Sequence, residues 1–231
     1  MPEPNWRSAR DARRNARERR STVTLDDIKA ILPRPVPIEG EIRWMACVHE
    51  AGHAVVGMSI GIGRPDLVTV QRFHSHRSEN TAFVSWIRNV HLQRSRESYL
   101  NEISMLLGGR AAEEVILGTM HDGSGGVMGS DLQRATDLAT YMLAALGMGD
   151  GLSYSNASDS RELEKLRTSN AILHRRVEEL LNAELTRAKE IVRLHQGKVE
   201  KLGLAVFEQE LLTSKMIEVI LHRDDNLGSS S

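Results

Sequence analysis

The 231-residue sequence contains a single cysteine, Cys47, and aromatic residues make up only 4% of it. One cysteine cannot form an internal disulfide, which excludes a disulfide-stapled secreted scaffold and is typical of a reducing compartment. The scarcity of aromatic side chains predicts a hydrophobic core built mainly from aliphatic residues. With 40% hydrophobic and 26% charged residues, the composition is that of an ordinary globular protein.

Long apolar runs and a large net charge are missing as well. No segment approaches the roughly 18 uncharged apolar residues of a spanning helix, and no apolar run follows the N-terminal arginines as in a secretory signal. We therefore expect a soluble, cytoplasmic chain. Any membrane association is expected through N-terminal parts of the gene product outside this sequence. The formal net charge of −1 gives no general attraction to nucleic acid.

The sequence also lacks a phosphate-binding loop of the form G-x-x-x-x-G-K-[ST], so we expect this chain not to bind ATP. Residues 7–20 carry seven arginines, and basic runs of this kind can bind phosphate groups. Trp6 is the only aromatic residue near these arginines, and no nucleic-acid-binding motif accompanies the run. A solvated helix face is the better interpretation, and no nucleic acid partner is predicted.

Helical spacing of apolar residues predominates along the chain, with one short β element. Thr24 is the expected N-cap of a short helix that ends before the prolines of the segment PRPVPIEG. Further helical patterns occur at about 41–60, 95–117, 131–146, 161–195 and 210–222, whereas 67–73 and 81–87 predict two strands of a hairpin. One buried stripe in the 161–195 helix comprises Leu173, Val177, Leu180, Leu181, Leu185, Ala188 and Ile191. The predicted fold is mainly α with a small β-hairpin or sheet.

The same patterns predict four segments along the chain. These are a basic helical segment 1–32, a Pro-rich linker 33–40, a main domain 41–222 and a disordered tail 223–231.

The segment CVHEAGHAVVG (47–57) places His49 and His53 four residues apart, with Glu50 directly after the first. On a helix, this spacing puts both imidazoles on one face, where they can bind one metal ion. A third protein ligand must come from elsewhere, and an open fourth position would hold water whose pKa zinc lowers to about 7. Glu50 projects about 100° further around the helix, beside such an ion, where it could take the proton of that water. This H-E-x-x-H arrangement is typical of zinc peptidases.

The alternative is a surface helix that carries two unrelated histidines. Two features favour the metal site: Ala51 and Gly52 remove bulk next to the expected ion, and the apolar flanks predict a buried helix where unpartnered polar groups are costly. The residues alone leave the third ligand open among Asp131, Glu113 and Glu114. Asp131 stands at a predicted helix start, where its ordinary role is capping. Weaker ligand candidates lie in polar loops: His74, His76 and His121.

Three segments together carry a family resemblance: VHEAGHAVVG, LLGGRAAEEVILG (106–118) and GSDLQRATDLATYML (129–143). In order and spacing they resemble the peptidase domain of FtsH-type ATP-dependent zinc metalloproteases, from about residue 41 to about 222. The resemblance implies a helical bundle around the H-E-x-x-H helix, with one zinc ion per chain and Glu50 as the catalytic residue. The implied metal ligands are His49, His53 and Asp131. Glu113 and Glu114 would then orient a ligand histidine or stabilise their helix.

The resemblance also implies partners. Extended polypeptide substrates would bind along the edge of the strand TAFVSWI, with Ala82, Phe83 and Val84 as the contact residues. The chain would form a homo-oligomer, a hexamer by resemblance, and work with an AAA+ ATPase module from the full-length protein or in trans. Residues 1–32 resemble the end of an AAA+ lid. The competing interpretation is a non-catalytic zinc-containing assembly or scaffold domain.

Overall fold

The computed structural model describes residues 6–31, 36–74, 81–88, 93–121, 125–126, 128–149, 151–152, 154–157 and 159–222. The chain divides into two compact units, one formed by residues 1–37 and 73–79 and the other by residues 38–72 and 80–231. The predicted tail 223–231, residues 33–35 of the predicted linker, and residues 122–124 and 127 lie outside the described residues. The four-segment division therefore stays a prediction. None of the helices in the described ranges combines the length and hydropathy of a membrane-spanning segment.

The smaller unit contains two helices and a minimal β-ladder: α1 (Trp6–Glu18), α2 (Leu25–Ile31), β1 (Val36–Pro37) and β3 (Phe73–His74). Thr24 caps α2 as predicted, because its hydroxyl accepts from the backbone N–H of Asp27 at 3.4 Å. Asp27 reciprocates by accepting from the N–H of Thr24 at 2.8 Å, which completes a capping box. The carboxylate of Asp27 also pairs with Arg19, which joins α2 to the end of α1.

The larger unit is mainly helical with a three-stranded sheet, and this confirms the predicted fold class. Its elements are α3 (Gly40–Ser59), β2 (Gly63–Val70), β4 (Ala82–Arg88), α4 (Arg96–Leu106), α5 (Gly108–Ala112), a π-helical turn (Glu113–Leu117), α6 (Asp131–Ala144), α7 (Ser160–Ser169), α8 (Ala171–Leu194), α9 (Gln196–Gln209), β5 (Leu211–Thr213) and α10 (Ser214–His222).

The sheet is antiparallel with strand order β4-β2-β5, so the predicted hairpin is present as β2 and β4. Val68 pairs with Val84 and Thr69 with Phe83. Because side chains alternate along a strand, Val68 and Val84 face the core while Phe83 faces outward and is exposed. β4 is an edge strand of the described sheet, and its outer edge is the one on which we expected a substrate.

Helix α3 is the central element of the core. Every residue from Cys47 to Gly57 is buried. This stretch packs into one apolar cluster with residues of β2, α5, α8 and α9, among them Val68, Val70, Ala111, Ala188, Val192, Val199 and Leu202. A helix covered on all sides must be apolar nearly all round, as this one is, so the polar side chains of the H-E-x-x-H segment are enclosed by protein.

A second apolar cluster joins α4, α6 and α8, and it supports the other side of the same region. It contains Ile103, Ala135, Ala139, Val177 and Leu181. All seven residues of the predicted stripe lie on α8 and belong to, or pack against, one of the two clusters. The predicted stripe is therefore confirmed, and α8 holds α4, α5 and α6 in place around α3.

Three predicted helix boundaries are wrong. The 161–195 helix is interrupted at Asn170, whose side chain accepts from the N–H of Leu173 at 3.0 Å and so begins a new helix, α8. The last helix begins at Ser214 rather than 210, because residues 211–213 add a third strand to the sheet with Leu212 fully buried. The predicted helix 95–117 is divided into α4, α5 and the π-helical turn. Residues 196–209 form a separate helix, α9.

Candidate metal centre

The two histidines of α3 point their rings toward a common centre. Their Nε2 atoms are 3.0 Å apart, and the ring centroids are separated by 4.7 Å. Both side chains are largely buried, as expected for the middle of a helix covered by α5, β2 and α9. The spacing of four residues on one helical turn produces this arrangement directly.

Asp131, the first residue of α6, completes the group. Its Oδ2 lies 3.0 Å from Nε2 of His53 and 3.4 Å from Nε2 of His49. Ser130 rather than Asp131 caps this helix, because its hydroxyl accepts from the N–H of Gln133 at 3.4 Å. Oδ2 of Asp131 is therefore directed at the histidines, while Oδ1 lies 3.5 Å from Arg134 on the same helix.

The three donor atoms have the spacing that a small tetrahedral cation requires. Zinc bound at about 2.0–2.1 Å by nitrogen and oxygen has donor–donor separations of roughly 3.3 Å. The three separations observed here are 3.0, 3.0 and 3.4 Å. Among the described residues, these three form the one cluster of His, Cys, Asp or Glu side chains suited to a metal ion. Two imidazoles and one carboxylate are donors that zinc prefers, so the group fits zinc.

The Nδ1 atoms determine which ring nitrogen of each histidine faces the centre. Nδ1 of His53 donates to the backbone carbonyl of Met105 at 2.7 Å, and Nδ1 of His49 donates to Oε1 of Glu113 at 2.6 Å. Because each Nδ1 carries its proton toward these acceptors, each Nε2 is left to present its lone pair to a cation. Glu113 stands at the start of the π-helical turn and is 3% exposed.

The second oxygen of Glu113 binds His121. Oε2 accepts from the backbone N–H of His121 at 2.8 Å and lies 3.1 Å from its Nδ1. Burial would raise the pKa of the Glu113 carboxyl, but hydrogen bonds from His49 and His121 outweigh it and hold that pKa below its usual range. Glu113 is thus an ionised acceptor shared by two histidines.

The charges at the centre favour a positive group between the three side chains. Burial alone would lower the pKa of His49, but hydrogen bonds to Asp131 and Glu113 outweigh it and raise that pKa to about 10. Burial would raise the pKa of Asp131, but the charge of His53 and hydrogen bonds from both histidines hold it well below its usual range. Positive charge is therefore stabilised between these groups, whether a proton or a metal ion carries it.

Glu50 lies beside this centre on the same helix. It is 8% exposed, and burial raises the pKa of its carboxyl, while the charges of His53 and His49 act in the opposite direction. A carboxylate with a raised pKa is more basic than a solvated one, which suits a group that accepts and then returns a proton.

Comparison with known proteins places this site in a family. Residues 37–220 match peptidase family M41. The chain is 34% identical over 197 residues to the ATP-dependent zinc metalloprotease FtsH 3 of Sorangium cellulosum. It is 26% identical over 234 residues to FtsH of Thermotoga maritima, and 30% identical over 190 residues to YME1L1 of Mus musculus, both also named ATP-dependent zinc metalloproteases.

The chain belongs to peptidase family M41. It is an FtsH-type peptidase domain, as the three sequence motifs predicted. The alignments cover 82%, 90% and 81% of this chain, but only 30%, 37% and 26% of the three relatives. The chain thus spans about a third of the length of these M41 proteins.

The M41 domain uses Gly52 differently from what we expected. A Cβ on residue 52 would lie 2.5 Å from the Cβ of Ala112 and 3.1 Å from the carbonyl carbon of Gly108, so this glycine permits the close crossing of α3 and α5. It does not make room for the ion. The glycine that lies against a histidine ring of the centre is Gly109, where a Cβ would be 2.5 Å from Cδ2 of His49.

Other predicted site residues have different contacts or lie outside the described residues. Glu114 pairs with Arg110 at 2.9 Å and with Lys189, and so connects the π-helical turn to α8 rather than to a histidine. Ala82, Phe83 and Val84 lie on the edge strand β4. His74 lies on β3 in the smaller unit, and His76 is outside the described residues. His121 binds Glu113 instead of the centre.

Two groups at the centre of the M41 domain had not been predicted. The carbonyl of Met105 has no signal in the sequence, because every residue carries one. Gly109 had a signal: two adjacent glycines within a helical pattern cost about 1 kcal/mol each in helix propensity. Such a cost is tolerated where a neighbouring group must come close, and here that group is the ring of His49.

Proposed function

We propose that this domain is a zinc-dependent endopeptidase that cleaves unfolded or flexible polypeptides. The observation that carries the proposal is the convergence of Nε2 of His49, Nε2 of His53 and Oδ2 of Asp131, with separations of 3.0–3.4 Å, next to the buried Glu50. The three relatives named above are zinc metalloproteases by name, which supports zinc as the ion.

Each residue has a defined role in this proposal. His49, His53 and Asp131 hold the ion, which supplies Lewis acidity and brings the pKa of a bound water near 7. Glu50 accepts a proton from the attacking water and returns it to the leaving amine of the cleaved peptide bond. Burial raises the pKa of the Glu50 carboxyl above its ordinary value, which makes it a stronger base than a solvated glutamate.

The substrate would add a strand to β4. The outer edge of β4 is unpaired in the described sheet, and Phe83 projects from the outward face of the strand with 38% of its surface exposed. Backbone hydrogen bonds to an extended peptide do not depend on its side chains, so many sequences could bind. An extended substrate must lack secondary structure at the cleavage site, which is why the proposed substrates are unfolded or flexible.

The assembly is part of the same proposal. The relatives are named ATP-dependent, and the chain spans about a third of their length. We therefore place the ATPase module elsewhere in the full-length protein or in a partner chain, with this domain as the proteolytic part of a homo-oligomer, a hexamer by family resemblance.

The role of Glu50 is tested by Glu50→Gln, which keeps the size of the side chain and removes its basicity. We expect degradation of an unfolded casein substrate to fall by about 10²- to 10⁴-fold, the usual contribution of a general base, with zinc content unchanged. Glu41→Gln, on the exposed start of the same helix, is the matched control and should keep full activity.

Elemental analysis for zinc and iron on the same samples tests the ion, because two histidines and a carboxylate can also bind iron(II). One zinc per chain together with casein cleavage supports the proposal. One zinc per chain without cleavage of any unfolded substrate would favour the scaffold interpretation. Undiminished cleavage by the Glu50→Gln variant would remove Glu50 from its assigned role.

A further inference from the structure

Glu113 uses its two carboxylate oxygens for two different histidines. Oε1 accepts from Nδ1 of His49 at 2.6 Å, whereas Oε2 accepts from the backbone N–H of His121 at 2.8 Å and lies 3.1 Å from Nδ1 of the same residue. Because Glu113 is 3% exposed, water cannot easily replace either partner.

We infer that His121 is a positioning residue for the metal centre, which holds Glu113 in the orientation from which Glu113 fixes the ring of His49. The inference rests on the metal site proposed above. It assigns a role to a residue that touches neither the ion nor a ligand side chain directly.

The need for such a residue follows from the freedom of a glutamate side chain. Its last torsion is broad, with no sharply preferred value, so a carboxylate held by one hydrogen bond can still rotate. The backbone N–H of His121 and its Nδ1 approach Oε2 as two donors. Together they restrict the carboxylate plane, and Oε1 is then directed at His49. Partners of this kind around metal-binding histidines affect metal affinity by about 10–100-fold.

The contact also joins two segments that supply the centre. Glu113 belongs to the π-helical turn after α5, and His121 belongs to the segment that leads to Asp131, ten residues further along the chain. Both Asp131 and the Glu113 carboxylate approach His49 from outside α3, since they lie 82 and 64 residues from it in sequence. A hydrogen bond between their segments keeps the ligand and the residue that orients it in register.

His121 can be replaced without disturbing the core, because 32% of its side chain is exposed. His121→Leu removes the side-chain donor and keeps bulk. His121→Asn restores a donor at nearly the same place, because the amide nitrogen of asparagine is attached to Cγ as Nδ1 of histidine is. His174→Leu, on the exposed face of α8, is the matched control.

The experiment measures the rate at which the zinc-loaded full chain loses zinc to an excess of a colorimetric chelator. We expect His121→Leu to release zinc about tenfold faster than wild type, the low end for groups around a ligand because the backbone N–H remains. His121→Asn and His174→Leu should release it at close to the wild-type rate. Visible spectra of the cobalt-substituted chains give a second measurement, in which His121→Leu alone should change the absorption bands.

Wild-type release by His121→Leu would overturn the inference. So would equally fast release by His121→Asn, because the effect would then not depend on the donor. Failure of the wild-type chain to retain zinc would overturn the proposed metal site and this inference with it, whereas tight zinc in wild type and in His121→Leu overturns the inference alone. Thermal unfolding of the metal-free chains checks that the variants fold, and His121→Ala replaces His121→Leu should the leucine destabilise the chain.

Discussion

Gly52 and Gly108 face each other where α3 crosses α5, and a side chain at either position would crowd the backbone of the opposite helix. A Cβ on residue 108 would lie 3.0 Å from the carbonyl oxygen of Gly52, and a Cβ on residue 52 would lie 3.1 Å from the carbonyl carbon of Gly108. The crossing brings the π-helical turn with Glu113 to within hydrogen-bonding distance of His49. The glycine inside the H-E-x-x-H segment is therefore a packing requirement for the centre.

The first prediction concerns this crossing. Gly52→Ala should destabilise the metal-free chain by about 2 kcal/mol, because the new methyl group meets backbone that cannot rotate away, and this outweighs the roughly 1 kcal/mol gained in helix propensity. Urea unfolding measures the effect. Gly197→Ala in α9 is the control, because nothing lies within 4 Å of a Cβ there, and it should be neutral or slightly stabilising. Equal stability of the two variants would show that α3 and α5 are not so tightly packed.

The second prediction distinguishes two adjacent glutamates. Glu113→Gln should weaken zinc binding by about 10–100-fold, because an amide cannot accept from His49 and His121 at the same time. Glu114→Gln should leave zinc binding unchanged and cost at most about 1 kcal/mol of stability, because its partners Arg110 and Lys189 are partly exposed. Competition with a fluorescent zinc chelator measures both. The prediction is wrong if the two variants bind zinc equally well.

The third prediction is a pH dependence that originates away from the centre. Glu102 on α4 accepts from Arg88 on β4 at 2.9 Å and also pairs with Arg94. Burial would raise the pKa of Glu102, but Arg88 and Arg94 outweigh it and lower that pKa from its ordinary value of 4.5. A group whose pKa is lower in the folded state stabilises the fold above its unfolded pKa, and this stabilisation is lost as the pH falls through the folded value.

Glu102→Gln should therefore be less stable than wild type by about 1 kcal/mol at pH 7, a value reduced for the partial exposure of both arginines. The difference should shrink as the pH is lowered below about 4.5. Urea unfolding at a series of pH values measures it, with Glu164→Gln on the exposed surface of α7 as the control. A difference between Glu102→Gln and wild type that is independent of pH would show that the ion pairs are not its cause.

The fourth prediction tests the proposed substrate strand. Phe83→Ala should raise KM for an extended peptide by about fivefold, the equivalent of roughly 1 kcal/mol, with kcat nearly unchanged, because Phe83 would contact substrate without touching the reacting atoms. Leu204→Ala, on α9 and 51% exposed, is the control for the loss of an exposed apolar side chain outside β4. A fall in kcat with KM unchanged would contradict a role in binding.

The local features of this chain were largely predictable from its sequence. The helix that carries His49, Glu50 and His53, the β2–β4 hairpin and the stripe on α8 all depend on residues close together in the chain, where periodicity is informative. The errors have local and non-local causes. Asn170 interrupts a long helical pattern because a short polar side chain can cap a new helix, and Leu212 joins the sheet because β2 lies beside it.

The residue that contacts both histidine Nε2 atoms could not be predicted from local sequence patterns. Asp131, Glu113 and Glu114 were equal candidates from the residues alone, and family resemblance favoured Asp131. The structure separates them: Asp131 reaches both Nε2 atoms, Glu113 reaches Nδ1 of His49, and Glu114 turns toward Arg110 and Lys189. No local pattern distinguishes two adjacent glutamates, because their different surroundings come from the packing of the π-helical turn.

Short-range helix formation is sufficient to bring the imidazoles of His49 and His53 to one side of α3, since one helical turn separates them. Nothing nearby in the chain specifies what those imidazoles meet, because their carboxylate partners are 64 and 82 residues away. Those partners reach His49 because α5 crosses α3 at the two glycines and because α6 begins beside the histidines. The geometry of the proposed metal site therefore depends on how the helices pack, through distances of a few ångströms that short-range preferences do not control.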